Sequence, residues 1–153
     1  MNRPASISSV VILLLSIGVA HPAPAQKARA PRKIDVTSND YTFVAFPTQI
    51  SAGPTIFTFA NQGKVFHELS LARIKPGATM EDFVKAREDP ARRRELIDRS
   101  VGILIAGPGS TPDGKLLVDL MRGTTYVVFC NFRDKPDAPG HLMFGMYTSF
   151  TPK

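Results

Sequence analysis

Tyr126-Val127-Val128-Phe129-Cys130 is an apolar run that ends on the one cysteine of the chain, and His141-Leu142-Met143-Phe144-Gly145-Met146 follows it after a polar stretch. β-Branched and aromatic residues dominate the run, and Tyr126, Val128 and Cys130 share one parity. That pattern reads as a buried strand over Thr124–Phe132, with a further strand over Phe144–Thr151. Working back toward the N-terminus, Lys115–Met121, Ile56–Phe59, Tyr41–Phe43 and Ile34–Val36 repeat the signal. In Val65–Arg73, Val65, His67, Leu69 and Leu71 fall on one face, with Glu68 and Ser70 on the other. Ala52-Gly53-Pro54 and Asn61-Gln62-Gly63 are turn signals between strands. About seven short strands joined this way predict an antiparallel sandwich or barrel.

One segment breaks the rhythm. Thr79-Met80-Glu81-Asp82 has the form of a capping box, and Met80, Phe83, Val84 and Ala86 recur at helical spacing. Pro90 interrupts or restarts the helix, and Ala91–Arg99 reads as a second short one that buries Leu96 and Ile97. Thr79–Arg99 is therefore a helical insertion between strands. Its Arg92-Arg93-Arg94 run, balanced by Glu88, Asp89, Glu95 and Asp98, reads as a solvated face. Met80 and Met121 read as core fillers.

The N-terminus carries a different code. Arg3 precedes the short apolar region Ile7–Ala20, and Ala23-Pro24-Ala25 is a small-x-small cleavage site, so residues 1–25 read as a secretory signal. The apolar region is shorter than the ~20 residues that cross a bilayer, and no later segment could span one. Residues 26–33 hold Lys27, Arg29, Arg32 and Lys33 among Ala and Pro and read as a flexible basic linker. One domain, 34–153, follows. The expected location is the periplasm or the cell exterior. The formal charge of +6 comes from interspersed signs with few exposed aromatics, which argues against a nucleic-acid role.

An exported chain with a single cysteine forms no internal disulfide, so Cys130 is either core packing or a metal ligand. Both histidines outside the leader, His67 and His141, lie beside predicted strands, and Met143 and Met146 follow the second. Two imidazoles, a thiolate and a thioether are the donors of a mononuclear copper site, because sulfur stabilises Cu(I) and imidazole serves both oxidation states. Each residue alone has a plainer reading as a core or loop side chain. Their common order favours the metal.

Tyr126–Met146, and above all His141-Leu142-Met143-Phe144-Gly145-Met146, resembles the His-x-x-x-Gly-Met ending of small bacterial cupredoxins, the blue copper proteins. The resemblance implies a cupredoxin-like antiparallel Greek-key β-sandwich. It assigns His67 as upstream imidazole, Cys130 as thiolate, His141 as second imidazole and Met146 as axial thioether, with copper as the cofactor. Two departures stand out. Asn131–Gly140 is longer than the familiar cysteine-to-histidine loop, and Glu68 follows His67 where many members have an asparagine that braces the cysteine sulfur.

Two functions follow from these residues: one-electron transfer through a closed site, or copper carriage through an accessible one using Met143 and Met146. For transfer, His141 would be the electron port, Leu142 and Phe144 an apolar rim, and an acidic protein the redox partner. The alternative is a metal-free interaction module that docks through its helical insertion. An enzyme with Cys130 as nucleophile is disfavoured, since a mid-strand thiol has neither oxyanion loop nor helix start beside it.

Overall fold

The structure is a computed structural model that describes residues 29–153; the expected leader and residues 26–28 of the basic linker lie outside the described residues. Among the described residues, eight strands form two four-stranded sheets. The strands are β1 (Arg32–Asn39), β2 (Thr42–Val44), β3 (Gly53–Asn61), β4 (His67–Ile74), β5 (Ile97–Ala106), β6 (Leu116–Leu120), β7 (Tyr126–Phe129) and β8 (Tyr147–Phe150). One sheet runs β2-β1-β3-β6 and the other β5-β4-β7-β8. The all-β sandwich expected from the sequence is what the chain forms. Its pairings are antiparallel except β1 with β3, which run parallel from Arg32 opposite Thr55 to Ser38 opposite Asn61. Arg32 and Lys33 thus already belong to β1.

Alternation explains the core. Phe57 and Phe59 of β3, Leu69 and Leu71 of β4, and Tyr126 and Val128 of β7 point between the sheets, where each is 2 % exposed or less. Burying such side chains contributes about 1.5–3 kcal/mol apiece before the cost of ordering them. His67 and Cys130 keep the same parity as their strand neighbours, so the pleat that buries the core also carries both toward one end of the sandwich.

The insertion forms two short helices, α1 (Met80–Lys85) and α2 (Pro90–Leu96). The predicted capping box is present: Asp82 N–H donates to Thr79 Oγ1 at 3.1 Å, and Thr79 N–H donates to Asp82 Oδ2 at 2.9 Å. Pro90 restarts the helix rather than interrupting it, because its fixed φ and missing N–H suit the first helical position. Asp89 caps α2 by accepting from Ala91 and Arg92. α1 and α2 lie on the outer face of the second sheet, where Phe83 packs with Ala72, Ile74, Val127 and Leu142 in a second apolar cluster. This is why β7 is buried on both faces.

Several local expectations are corrected. The second helix ends at Leu96, and Ile97 opens β5, a ten-residue strand where the sequence reading had helix to Arg99 and then no element. Leu96 and Ile97 are half-buried rather than buried. Met121 is 52 % exposed, not a core filler. Within the Arg92-Arg93-Arg94 run Arg93 is buried, because its guanidinium reaches back to the Arg87 carbonyl and, at 2.9 Å, to Asn131 Oδ1. Tyr41 sits not in β2 but in the turn before it, at φ 57°.

Candidate metal centre

β4 and β7 are adjacent strands, and their ends deliver His67 and Cys130 side by side. The polar loop after Cys130 then returns His141 to them through backbone bonds. Leu142 N–H donates to the Cys130 carbonyl at 2.7 Å, His141 N–H to the Phe132 carbonyl at 2.9 Å, and Cys130 N–H to the Met146 carbonyl at 3.1 Å. His141–Phe144 is a single 3₁₀ turn closed by Gly145 at φ 92°, the left-handed conformation that glycine adopts without strain. Loop closure costs little more for a long loop than for a short one, so the length of Asn131–Gly140 is no obstacle.

Three of the four predicted side chains converge. His67 Nδ1 and His141 Nδ1 are 3.0 Å apart, and Cys130 Sγ lies 3.4 Å from His141 Nδ1 and 3.9 Å from His67 Nδ1. The point equidistant from these atoms lies about 2.0 Å from each, the length of a metal–imidazole bond. His67, Cys130, His141 and Met146 are all 0 % exposed. The residues present therefore fit a soft metal in both donor chemistry and spacing. Met146 is buried in the same segment that bonds Cys130, whereas Met143 is half-buried and lines a separate cavity.

The outer nitrogens of the two imidazoles are treated differently. His141 Nε2 lies 3.0 Å from Asp134 Oδ1, and Asp134 Oδ2 accepts from the Tyr41 hydroxyl at 2.9 Å. A carboxylate only accepts, so the hydrogen of His141 sits on Nε2 and the lone pair of Nδ1 faces the cluster. Burial opposes ionisation of Asp134, but the bonds from Tyr41 and His141 outweigh it and hold the carboxyl below its ordinary range. The Tyr41 ring stands edge-on to both imidazoles, with centroids 4.9 Å from His141 and 6.1 Å from His67. His67 Nε2, by contrast, is buried and has no hydrogen-bond partner among the described residues. The turn before His67 is itself tied down by Asn61. Asn61 Nδ2 donates to the carbonyls of Val65, Ala106 and Gly107 at 2.7, 3.1 and 3.0 Å, and Asn61 Oδ1 accepts from Gly63 N–H at 2.8 Å. A Cβ on Gly63 would stand 2.5 Å from Asp40 Oδ1, 3.0 Å from Asp40 N and 3.1 Å from His67 Nε2, so a side chain there would push on Asp40 and on the imidazole.

Glu68 supplies the brace that its divergence put in question. Its main-chain N–H points at Cys130 Sγ, 3.3 Å away, and its Oε1 accepts from Asn131 N–H at 2.8 Å and from Ser70 Oγ at 2.9 Å. The backbone provides the sulfur bond, and the carboxylate pins the first residue of the loop. Burial pushes the Cys130 thiol up to about 11, against the lowering effect of the N–H groups of Glu68 and Phe132. The thiol is therefore neutral at physiological pH until a cation takes the place of its proton. Burial, and then the neighbouring His141, push the His67 imidazole below its ordinary value, which keeps it neutral and able to ligate.

The expected electron port is corrected. His141 and Leu142 are buried, and of that trio only Phe144 is exposed, at 54 %. Tyr41 covers His141 and packs on Phe144 at 4.9 Å, so the imidazole edge does not reach the surface. Phe66, 49 % exposed and stacked on Phe132 at 5.5 Å, is a second exposed aromatic beside the site. Sequence reasoning missed Tyr41, Asp134, Asn61 and Arg93. A carboxylate inside the loop before a candidate ligand histidine was a usable sign for Asp134; the other three gave none.

No protein-family model and no curated protein sequence matches the chain. Its backbone does match solved structures. Auracyanin B aligns with a TM-score of 0.53 at 17 % identity, over 82 % of this chain and 91 % of that one. A dithionite-reduced auracyanin from the photosynthetic bacterium Roseiflexus castenholzii gives 0.52 at 16 % identity, over 82 % and 99 %. Auracyanin A, a "blue" copper protein from the green thermophilic photosynthetic bacterium Chloroflexus aurantiacus, gives 0.50 at 18 % identity, over 81 % and 100 %. The fold is that of the cupredoxins.

Proposed function

We propose that this chain is an exported copper protein that passes single electrons, and that His67 and His141 would hold the copper through their imidazoles, Cys130 through its thiolate and Met146 through its thioether. The observation that carries the reading is the convergence of two imidazole nitrogens and one sulfur on a point about a bond length from each, inside a sealed end of the sandwich. Bound copper would supply a one-electron couple. The chain's own part is to fix the donors before the ion arrives, so that little rearranges when the charge changes. Glu68 ties the sulfur strand to the loop, Asp134 sets the tautomer of His141, and the Asn61 turn sets the ring of His67.

Burial of all four ligands favours transfer over carriage, which wants an accessible thioether; Met143 faces a different cavity. It also favours an electron carrier over an enzyme, since no substrate reaches the donors. The leader expected over residues 1–25 supports export as one domain, 34–153, behind the basic linker. Without Arg3 of the leader the formal charge is 18 − 13 = +5, which suits an acidic redox partner that docks near the exposed Phe66 and Phe144.

Cu(II) added to the purified leader-free protein is expected to give an intense visible thiolate-to-copper band, and Cys130→Ser is expected to abolish it. A folded, unmodified protein that takes up Cu(II) without that band, or takes up none, sinks the proposal.

A further inference from the structure

A cavity of ≈ 300 Å³ lies between the insertion and the ligand loop, away from the donor cluster. Its walls bring together Arg87 from the link between α1 and α2, Arg93 from α2 and Arg133 from the loop, with Glu88 as the one carboxylate lining it. Among the described residues none of the three guanidiniums has an ion-pair partner. Arg93 is the informative one. It is 7 % exposed, and burial and then the charge of Arg133 lower its pKa, with the Asp89 carboxylate opposing them only in part.

A buried cation beside like charge is costly unless something negative offsets it. Two of the five N–H donors of Arg93 are used, on the Arg87 carbonyl and Asn131 Oδ1. Arg87 spends a donor on the Val84 carbonyl at 3.2 Å, and Arg133 one on the Ala138 carbonyl at 2.6 Å. Donors remain on each. A guanidinium fork matches two oxygens of a carboxylate or phosphate, and three forks around one cavity exceed what the internal carbonyl bonds require.

We propose that this cavity is a binding site for a small oxyanion, a phosphate or a carboxylate, gripped by Arg87, Arg93 and Arg133. The site is independent of copper, but it adjoins the metal loop: Arg93 bonds the Asn131 side chain, and the Asn131 main chain bonds Glu68. Anion binding would therefore stiffen the loop that carries Cys130 and His141.

The test is a titration of the isotope-labelled, metal-free, leader-free protein with inorganic phosphate and, separately, with succinate at constant ionic strength, followed by amide and Arg Nε NMR shifts. Saturable shifts at Arg93, Asn131 and Gly140 are expected. Arg133→Gln, at an exposed position, is expected to weaken binding about tenfold. Lys135→Gln, which removes a charge from the same loop without lining the cavity, should leave it unchanged. The stronger of the two probes identifies the class of anion. Shifts that never saturate, or equal weakening by Arg133→Gln and Lys135→Gln, overturn the proposal, because either result reduces the arginines to general surface charge. Since copper is absent throughout, the outcome is separate from that of the copper reading.

Discussion

The two imidazoles of this protein are held by opposite means. The turn before His67 is tied through its main chain: the Asn61 side chain spans three carbonyls, and Gly63 leaves room beside a ring nitrogen that has no hydrogen-bond partner among the described residues. The loop before His141 is a side-chain device, in which Asp134 takes the outer nitrogen and Tyr41 both bonds the carboxylate and covers the ring. The first is buried and tied to the core, so disturbing it disturbs folding. The second is built from partly exposed groups, with 33 % of the Asp134 side chain in contact with solvent, so disturbing it alters the metal site and spares the fold.

Asn61→Ala should break the first device outright. One buried and two part-buried carbonyls lose their donor, and the metal-free protein is expected to lose about 3 kcal/mol, read from urea unfolding. Asp134→Asn should do the reverse, with stability changed by less than about 0.5 kcal/mol and copper affinity lowered about 10- to 100-fold, as is usual when a ligand histidine loses its outer partner. If Asp134→Asn unfolds the protein as readily as Asn61→Ala, the contrast fails.

Acidity sharpens the same contrast. If Cys130 ligates copper as proposed, binding would displace its proton at any pH below about 11, so apparent affinity should fall about tenfold per pH unit as pH drops, measured by chelator competition. The metal-free protein responds separately through His67. Its folded pKa is depressed, so below about 6.5 the unfolded chain takes up a proton that the folded chain refuses, and stability declines as pH falls toward the depressed value. Tyr41→Phe is the smallest perturbation. The ring stays and one hydrogen bond goes, so copper affinity should drop only about threefold, with the visible band retained.

Parity along β4 and β7 was enough to place His67 and Cys130 on the buried face, because a strand's alternation is local. β5 was missed for a local reason too. Glu95-Leu96-Ile97 prolongs the helical pattern, and Gly102 interrupts the strand pattern where Leu116 packs so close that a Cβ would stand 2.6 Å from it. Asp134 and Arg93 depend on how a polar loop and an insertion fold back on each other, and no periodicity encodes that. The solvated look of Arg92-Arg93-Arg94 is right for two of its three members; the third is buried by a partner, Asn131, far along the chain.

Tyr41 in its left-handed turn also has a kinetic consequence. His67, Cys130, His141 and Met146 are 0 % exposed and Tyr41 stands over His141, so an incoming ion would have to wait for the phenol to lift. Uptake should accordingly reach a ceiling as the ion is made more concentrated, set by how often that cover opens rather than by how often ions collide with it.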